Sequence, residues 1–295
     1  MPLPLFIGHS MLHGIYEEGY SMTGNQNVTG IIAKIALNEL GRIYKSPFVI
    51  IIYIIFIVNI FLTGYGSQFF DQAWVSQPGE GDVFIRIAIG DVFYYTSLFC
   101  AITAMFFGVL SVLDDKNSHA LNVLLSKPVY RRDVLIGKFV GINLFSIILI
   151  TVTLAGSLLM HMLFNGIPGL MDELLIRAVS LIAILSMECA LVSGITMLFG
   201  LACKNLLEGV AVTITFLFVE WEGSLTRYLG SFKILSPHEL YFTIFHVDKA
   251  KLLIDTTVPY YVWLSAAAPY ILFMLLEIIA IVALNCIIFS RSDEV

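Results

Sequence analysis

The sequence predicts an all-α integral membrane protein: six transmembrane helices, an amphipathic helix before the first, a short cytoplasmic helix between the second and third, and re-entrant or surface helices outside before the last. Three observations predict it. Of 295 residues, 58% are hydrophobic and 13% are charged, whereas soluble domains carry about 25% charge. The mean hydropathy is +0.89. The apolar residues gather in runs of bilayer length, and lysine and arginine are distributed unevenly between the connecting segments.

Residues 1–27 read as an N-terminal extension. They lack a basic n-region and contain Glu17 and Glu18, unlike a secretory signal. They read as a flexible arm, or as sequence upstream of a start at Met22. Residues 28–46 carry Val28, Ile31, Ile32, Ile35, Ala36, Leu40 and Ile43 at helical spacing, with Lys34, Asn38, Arg42 and Lys45 off that stripe. This pattern predicts an amphipathic helix on the inner membrane surface, ended by Pro47.

Residues 47–291 form the membrane domain. A helix rises about 1.5 Å per residue and needs about 20 apolar residues to cross the hydrocarbon. Pro47–Phe70, Val92–Leu113, Phe139–Phe164, Ala178–Cys203 and Tyr260–Phe289 meet that length, the last two interrupted only by Glu188 and Glu277. Leu206–Val219 is apolar apart from Glu208 but short, and Trp221 is the candidate interface anchor that would let it span. From Trp221 to Pro259 the chain is aromatic-rich and broken by "SPHEL", which predicts short helices at the outer surface, with Glu220 and Glu222 in water.

Charge placement sets the topology. With the N-terminus inside, the cytoplasmic pieces hold Lys34, Arg42, Lys45, Lys116, Lys127, Arg131, Arg132, Lys138, Lys204 and Arg291, and the two short outer loops hold only Arg86 and Arg177. The long last outer segment holds Arg227, Lys233, Lys249 and Lys251, but long loops count less in the positive-inside rule, so six spans with both termini cytoplasmic fit, whereas five spans would place Arg291 outside. Cys100, Cys189, Cys203 and Cys286 lie in or beside apolar runs without CxxC spacing, and read as small hydrophobes.

Five cations cluster between Lys116 and Lys138, around "SKPVYRRDVLIGKF". Leu121, Leu124 and Leu125 share one helical face with Ala120, and Pro128 stops that helix and pushes Lys127 out of it. A second helix starts near Arg131. Positive-inside placement accounts for the charges alone. The leucine face beside a helix breaker predicts a docking knob for another protein.

The stretch "LNVLLSKPVYRRDVLIGKFVG" resembles the signature loop of type-2 ATP-binding-cassette (ABC) permeases, supplying Leu121, Leu124, Leu125, Ser126, Pro128, Val129, Arg131, Gly137 and Lys138 after Asp114 and Asp115. "IIAKIALNELGRIYKSP" resembles the family's elbow helix, with Glu39, Arg42 and Pro47 in place. Within the family the chain is similar to the permeases paired with nitrous-oxide reductase maturation. It departs at Ser118-His119-Ala120, where Gly-Thr is common.

The resemblance implies a coupling helix at about 118–132 that docks in a separate ABC ATPase subunit through Leu121, Leu124, Leu125, Lys127, Pro128, Arg131 and Arg132. The link at Cys203-Lys204-Asn205 would be a second contact. It implies an exporter permease in the plasma membrane, working as two copies, identical or paired with a relative. The chain contains no GxxxxGK[ST], so ATP hydrolysis is expected from the partner. No catalytic residue, cofactor, metal or nucleic acid is expected.

Glu188 and Glu277 are candidate substrate or ion-pathway residues, because carboxylates inside spans are costly; hydrogen-bonded structural roles are the alternative. An ion-coupled carrier or channel built on these two residues, or a membrane anchor for an ATPase, are the competing functions.

Overall fold

In the computed structural model the described residues are 28–74, 82–117, 131–221, 230–247 and 252–291. Among them the regular structure is helical: α1 (Val28–Lys45), α2 (Pro47–Trp74), α3 (Val83–Asp91), a π-helical turn (Val92–Thr96), α4 (Ser97–Asn117), α5 (Arg131–Asn165), α6 (Met171–Ala202), α7 (Leu206–Trp221), a 3-10 turn (Gly230–Leu235), α8 (Pro237–Phe245) and α9 (Tyr260–Arg291).

Five stretches are long and apolar enough to cross a membrane: Pro47–Tyr65, Phe84–Asp114, Arg132–Asn165, Met171–Ala202 and Tyr260–Ser290. This is a multi-pass membrane protein. The helices overrun the expected apolar limits because α3, the π turn and α4 continue one another, and α5 and α6 begin well before their uncharged stretches. Arg86 and Arg177 therefore sit in α3 and α6, not in loops.

α6 is the hub, packed against α4, α5, α8 and α9, while α5 carries α1 and α2 on its other side. Two glycines set the α1–α5 distance. A Cβ at Gly137 would lie 2.6 Å from Ile35 Cγ2, and one at Gly141 would lie 2.7 Å from the Ala36 carbonyl oxygen. Four residues apart on one helical face, they let the two backbones approach as small-residue seams do in membranes. The stripe expected on α1 is thus spent on α5, and Glu39 is buried on it.

At 16 residues α7 is about 24 Å long, short of the roughly 30 Å hydrocarbon core. Its N-terminus is capped by side chains: Asn205 Oδ1 accepts from the Glu208 N–H at 2.9 Å, and Glu208 Oε2 accepts from the Lys204 N–H at 3.2 Å. This explains a carboxylate at the start of an apolar helix.

"SPHEL" starts a helix where the sequence suggested a break. Ser236 is the N-cap of α8, its Oγ accepting from the Glu239 N–H at 3.2 Å, and Pro237 occupies the first turn, where it lacks no needed donor. α8 is not a surface helix. Leu240, Tyr241, Ile244 and Phe245 are buried, and Phe93 of the π turn stacks on Phe245 at 3.6 Å.

Candidate functional site

The cations bracketing residues 118–130 converge with α1 at one end of the bundle. Lys138, on the second turn of α5, donates from Nζ to the Ser111 carbonyl of α4 at 2.7 Å and lies 3.9 Å from Glu39 Oε2. Arg42 donates to Glu39 Oε1 at 2.6 Å and reaches Asp114 at 3.8 Å. Glu39 and Lys138 are both buried, so each charge depends on its partners for solvation lost to burial. This network joins α1, the last turns of α4 and the first turns of α5.

Lys116 makes the other anchor. Its Nζ donates to the carbonyls of Gly200 at 3.1 Å, Leu201 at 2.6 Å and Cys203 at 3.3 Å. These are carbonyls at the C-terminal end of α6, where the last turn has no intrahelical donors and the helix dipole favours a cation. Burial lowers the Lys116 pKa from the ordinary lysine value, because carbonyl oxygens replace only part of the lost water.

Leu121, Leu124, Leu125, Lys127 and Pro128 lie outside the described residues, as does the expected helix over 118–130. Arg131 opens α5. Arg132 is 63% exposed, with Nε 3.5 Å from the buried Asp133. In the sequence the five cations form one cluster. The structure gives Lys116 and Lys138 internal partners and leaves Arg132 largely in solvent.

Glu188 and Glu277 are not joined by a hydrogen bond or ion pair among the described residues. Glu188 is the eighteenth of the 32 residues of α6 and is 0% exposed. Its Oε1 lies 3.5 Å from His238 Nδ1 of α8, and neither carboxylate oxygen accepts a hydrogen bond. Glu220, expected in water, is 8% exposed. Its Oε2 accepts from Ser236 Oγ at 2.5 Å and from the His238 N–H at 3.4 Å. Trp221 stacks on His238 at 4.1 Å. Glu277 is half-buried on α9, and its Oε2 has no hydrogen-bond partner.

Arg177 was also missed. It is fully buried in α6, bonds Glu173 at 2.7 Å, and donates to the carbonyls of Leu253 and of Val258, the latter at 3.0 Å. That pins the segment before α9 to α6. Its only sequence signal was a cation close to an apolar run.

A family model described as ABC-2 family transporter protein matches residues 33–294. No curated protein sequence matches the chain.

Proposed function

This chain belongs to the ABC-2 transporter family, and on that premise we propose that it is the permease subunit of an exporter, coupled to a separate ATPase through residues 118–132. In this reading Leu121, Leu124 and Leu125 fill a groove on the ATPase, Pro128 ends the docking helix, and Lys127, Arg131 and Arg132 meet acidic groups around it. Residues 1–27 are an extension, 28–46 the elbow, and 47–291 the permease domain.

The observation that carries the proposal is the pair of anchors flanking the segment. Lys116 is fastened to the end of α6, and Lys138 to α4 and Glu39. A push on 118–132 would therefore reach α1, α4, α5 and α6 together, as a lever set in a rigid base would deliver it.

The sixth crossing is built from α7 and α8 in sequence: about 24 Å plus about 13 Å of helix, enough together for the hydrocarbon core. Both termini then lie in the cytoplasm, and the membrane is the plasma membrane. Two copies enclose the pathway. Glu277, a half-exposed carboxylate on a membrane helix, favours a neighbouring subunit or a wet pathway over lipid on that face.

The test is vanadate-sensitive ATPase activity of the permease reconstituted with the P-loop ATPase that co-purifies with it. Leu124→Asp and Arg131→Glu are expected to abolish stimulation by the permease. Unchanged stimulation in both would remove the proposal. A second reading, an ion-coupled carrier using Glu188 and Glu277, is favoured by the buried Glu188. It predicts transport that needs no ATP and is lost in Glu277→Gln.

A further inference from the structure

At the junction of α6, α7 and α8 two carboxylates and one imidazole meet in the middle of the bundle. Glu188 comes from α6, Glu220 from the last turn of α7, and His238 from the first turn of α8. Glu220 is provided for: it takes the Ser236 hydroxyl and the His238 N–H at the N-terminus of α8, where a negative charge is favoured. Glu188 is not. It is fully buried, both its oxygens lack a donor, and it faces His238 Nδ1, which is also without a hydrogen bond.

The groups facing this cluster are Cys189 beside Glu188 on α6, Glu239 and Tyr241 on α8, and Cys100 on α4. Of all these, only His238 can become a cation. Two ionised carboxylates would place two negative charges in a low-dielectric interior; that on Glu220 has hydrogen-bond donors, whereas that on Glu188 has none and is penalised heavily. Among the described residues no three His, Cys, Asp or Glu side chains are placed to hold a metal ion. A 3.5 Å separation between Glu188 and His238 suits a proton donated from one to the other after a small approach.

We propose that Glu188, His238 and Glu220 form a buried proton-binding site, and that α8 seats in the bundle only when this site has taken up one proton. The proton lies on Glu188 Oε1, as a carboxylic acid donating to His238 Nδ1. Withdrawal of α8 admits water to both groups and lets that proton leave. Ser236, at the N-cap, and Pro237, fixing the first turn, make α8 a unit that can enter or leave as one piece.

The experiment is hydrogen–deuterium exchange of the full-length protein in lipid nanodiscs across a pH series, corrected for the intrinsic pH dependence of exchange. It needs no ATPase, so it stands apart from the coupling proposal. Amides of 238–245 are expected to lose protection as pH rises, by about tenfold per pH unit for one proton. Glu188→Gln, a neutral isostere, should keep α8 protected throughout, and Glu277→Gln should leave the wild-type dependence in place. Infrared titration of the unmodified protein should show one carboxylic-acid band disappearing over the same pH range. Protection of α8 that is independent of pH in the wild type, unchanged pH dependence in Glu188→Gln, or no titrating carboxyl band would each overturn the proposal.

Discussion

Lys138 Nζ sits 2.7 Å from the Ser111 carbonyl and 3.9 Å from Glu39, so one buried ammonium holds the start of α5 against both α4 and α1. Lys138→Met keeps the stem and removes the charge. Glu39 retains Arg42 at 2.6 Å, so the loss is confined to the Lys138 bonds, about 1.5–3 kcal/mol. A lowered thermal midpoint in nanodiscs together with reduced stimulation of the ATPase is expected. An unchanged midpoint would show that the network does not tie these helices.

Gly141 and Gly41 make a paired test of the α1–α5 seam. A Cβ on Gly141 would meet the Ala36 carbonyl at 2.7 Å and Glu39 Cβ at 2.8 Å, whereas one on Gly41 meets nothing within 4 Å. Gly141→Ala is expected to destabilise by about 1–3 kcal/mol through overpacking. Gly41→Ala is expected to stabilise by up to about 1 kcal/mol through helix propensity. Denaturation of the two variants side by side checks the sign of each.

Lys116→Met removes the ammonium from the carbonyls of Gly200, Leu201 and Cys203. The effect should be local: faster deuterium uptake near the end of α6, with about 1 kcal/mol lost overall. Equal uptake in variant and wild type would mean that the end of α6 is held by other means.

Arg177→Lys should fail to restore what Arg177→Met loses. One guanidinium bonds Glu173 and the carbonyls of Leu253 and Val258, and a compact ammonium does not reproduce that fork. Both variants are expected to lower the thermal midpoint and to expose residues 252–259 to protease. A lysine variant as stable as the wild type would contradict this.

The spans were legible because bilayer thickness imposes a length that apolar runs must meet, and Pro47–Tyr65 and Tyr260–Ser290 meet it with few interruptions. The start of α1 and its apolar stripe were legible from periodicity, but Glu39 on that stripe was not, because its partners Lys138 and Arg42 come together only in the packed bundle. Arg177 and Glu220 read as loop and interface charges for the same reason: a charge near an apolar run looks solvated until tertiary structure supplies its partners. "SPHEL" misled because proline breaks a helix from inside yet begins one well, and only the Ser236 cap distinguishes the two cases.

Residues 118–132 are proposed to engage a nucleotide-driven partner. A photo-crosslinking amino acid at Leu124, activated in native membranes, tests it most directly. The account predicts an adduct whose mass spectrum contains a P-loop ATPase, diminished when Arg131 is replaced by Glu. A crosslinker at Leu124 that labels only lipid, or that is reached by membrane-impermeant reagents from outside the cell, would contradict it.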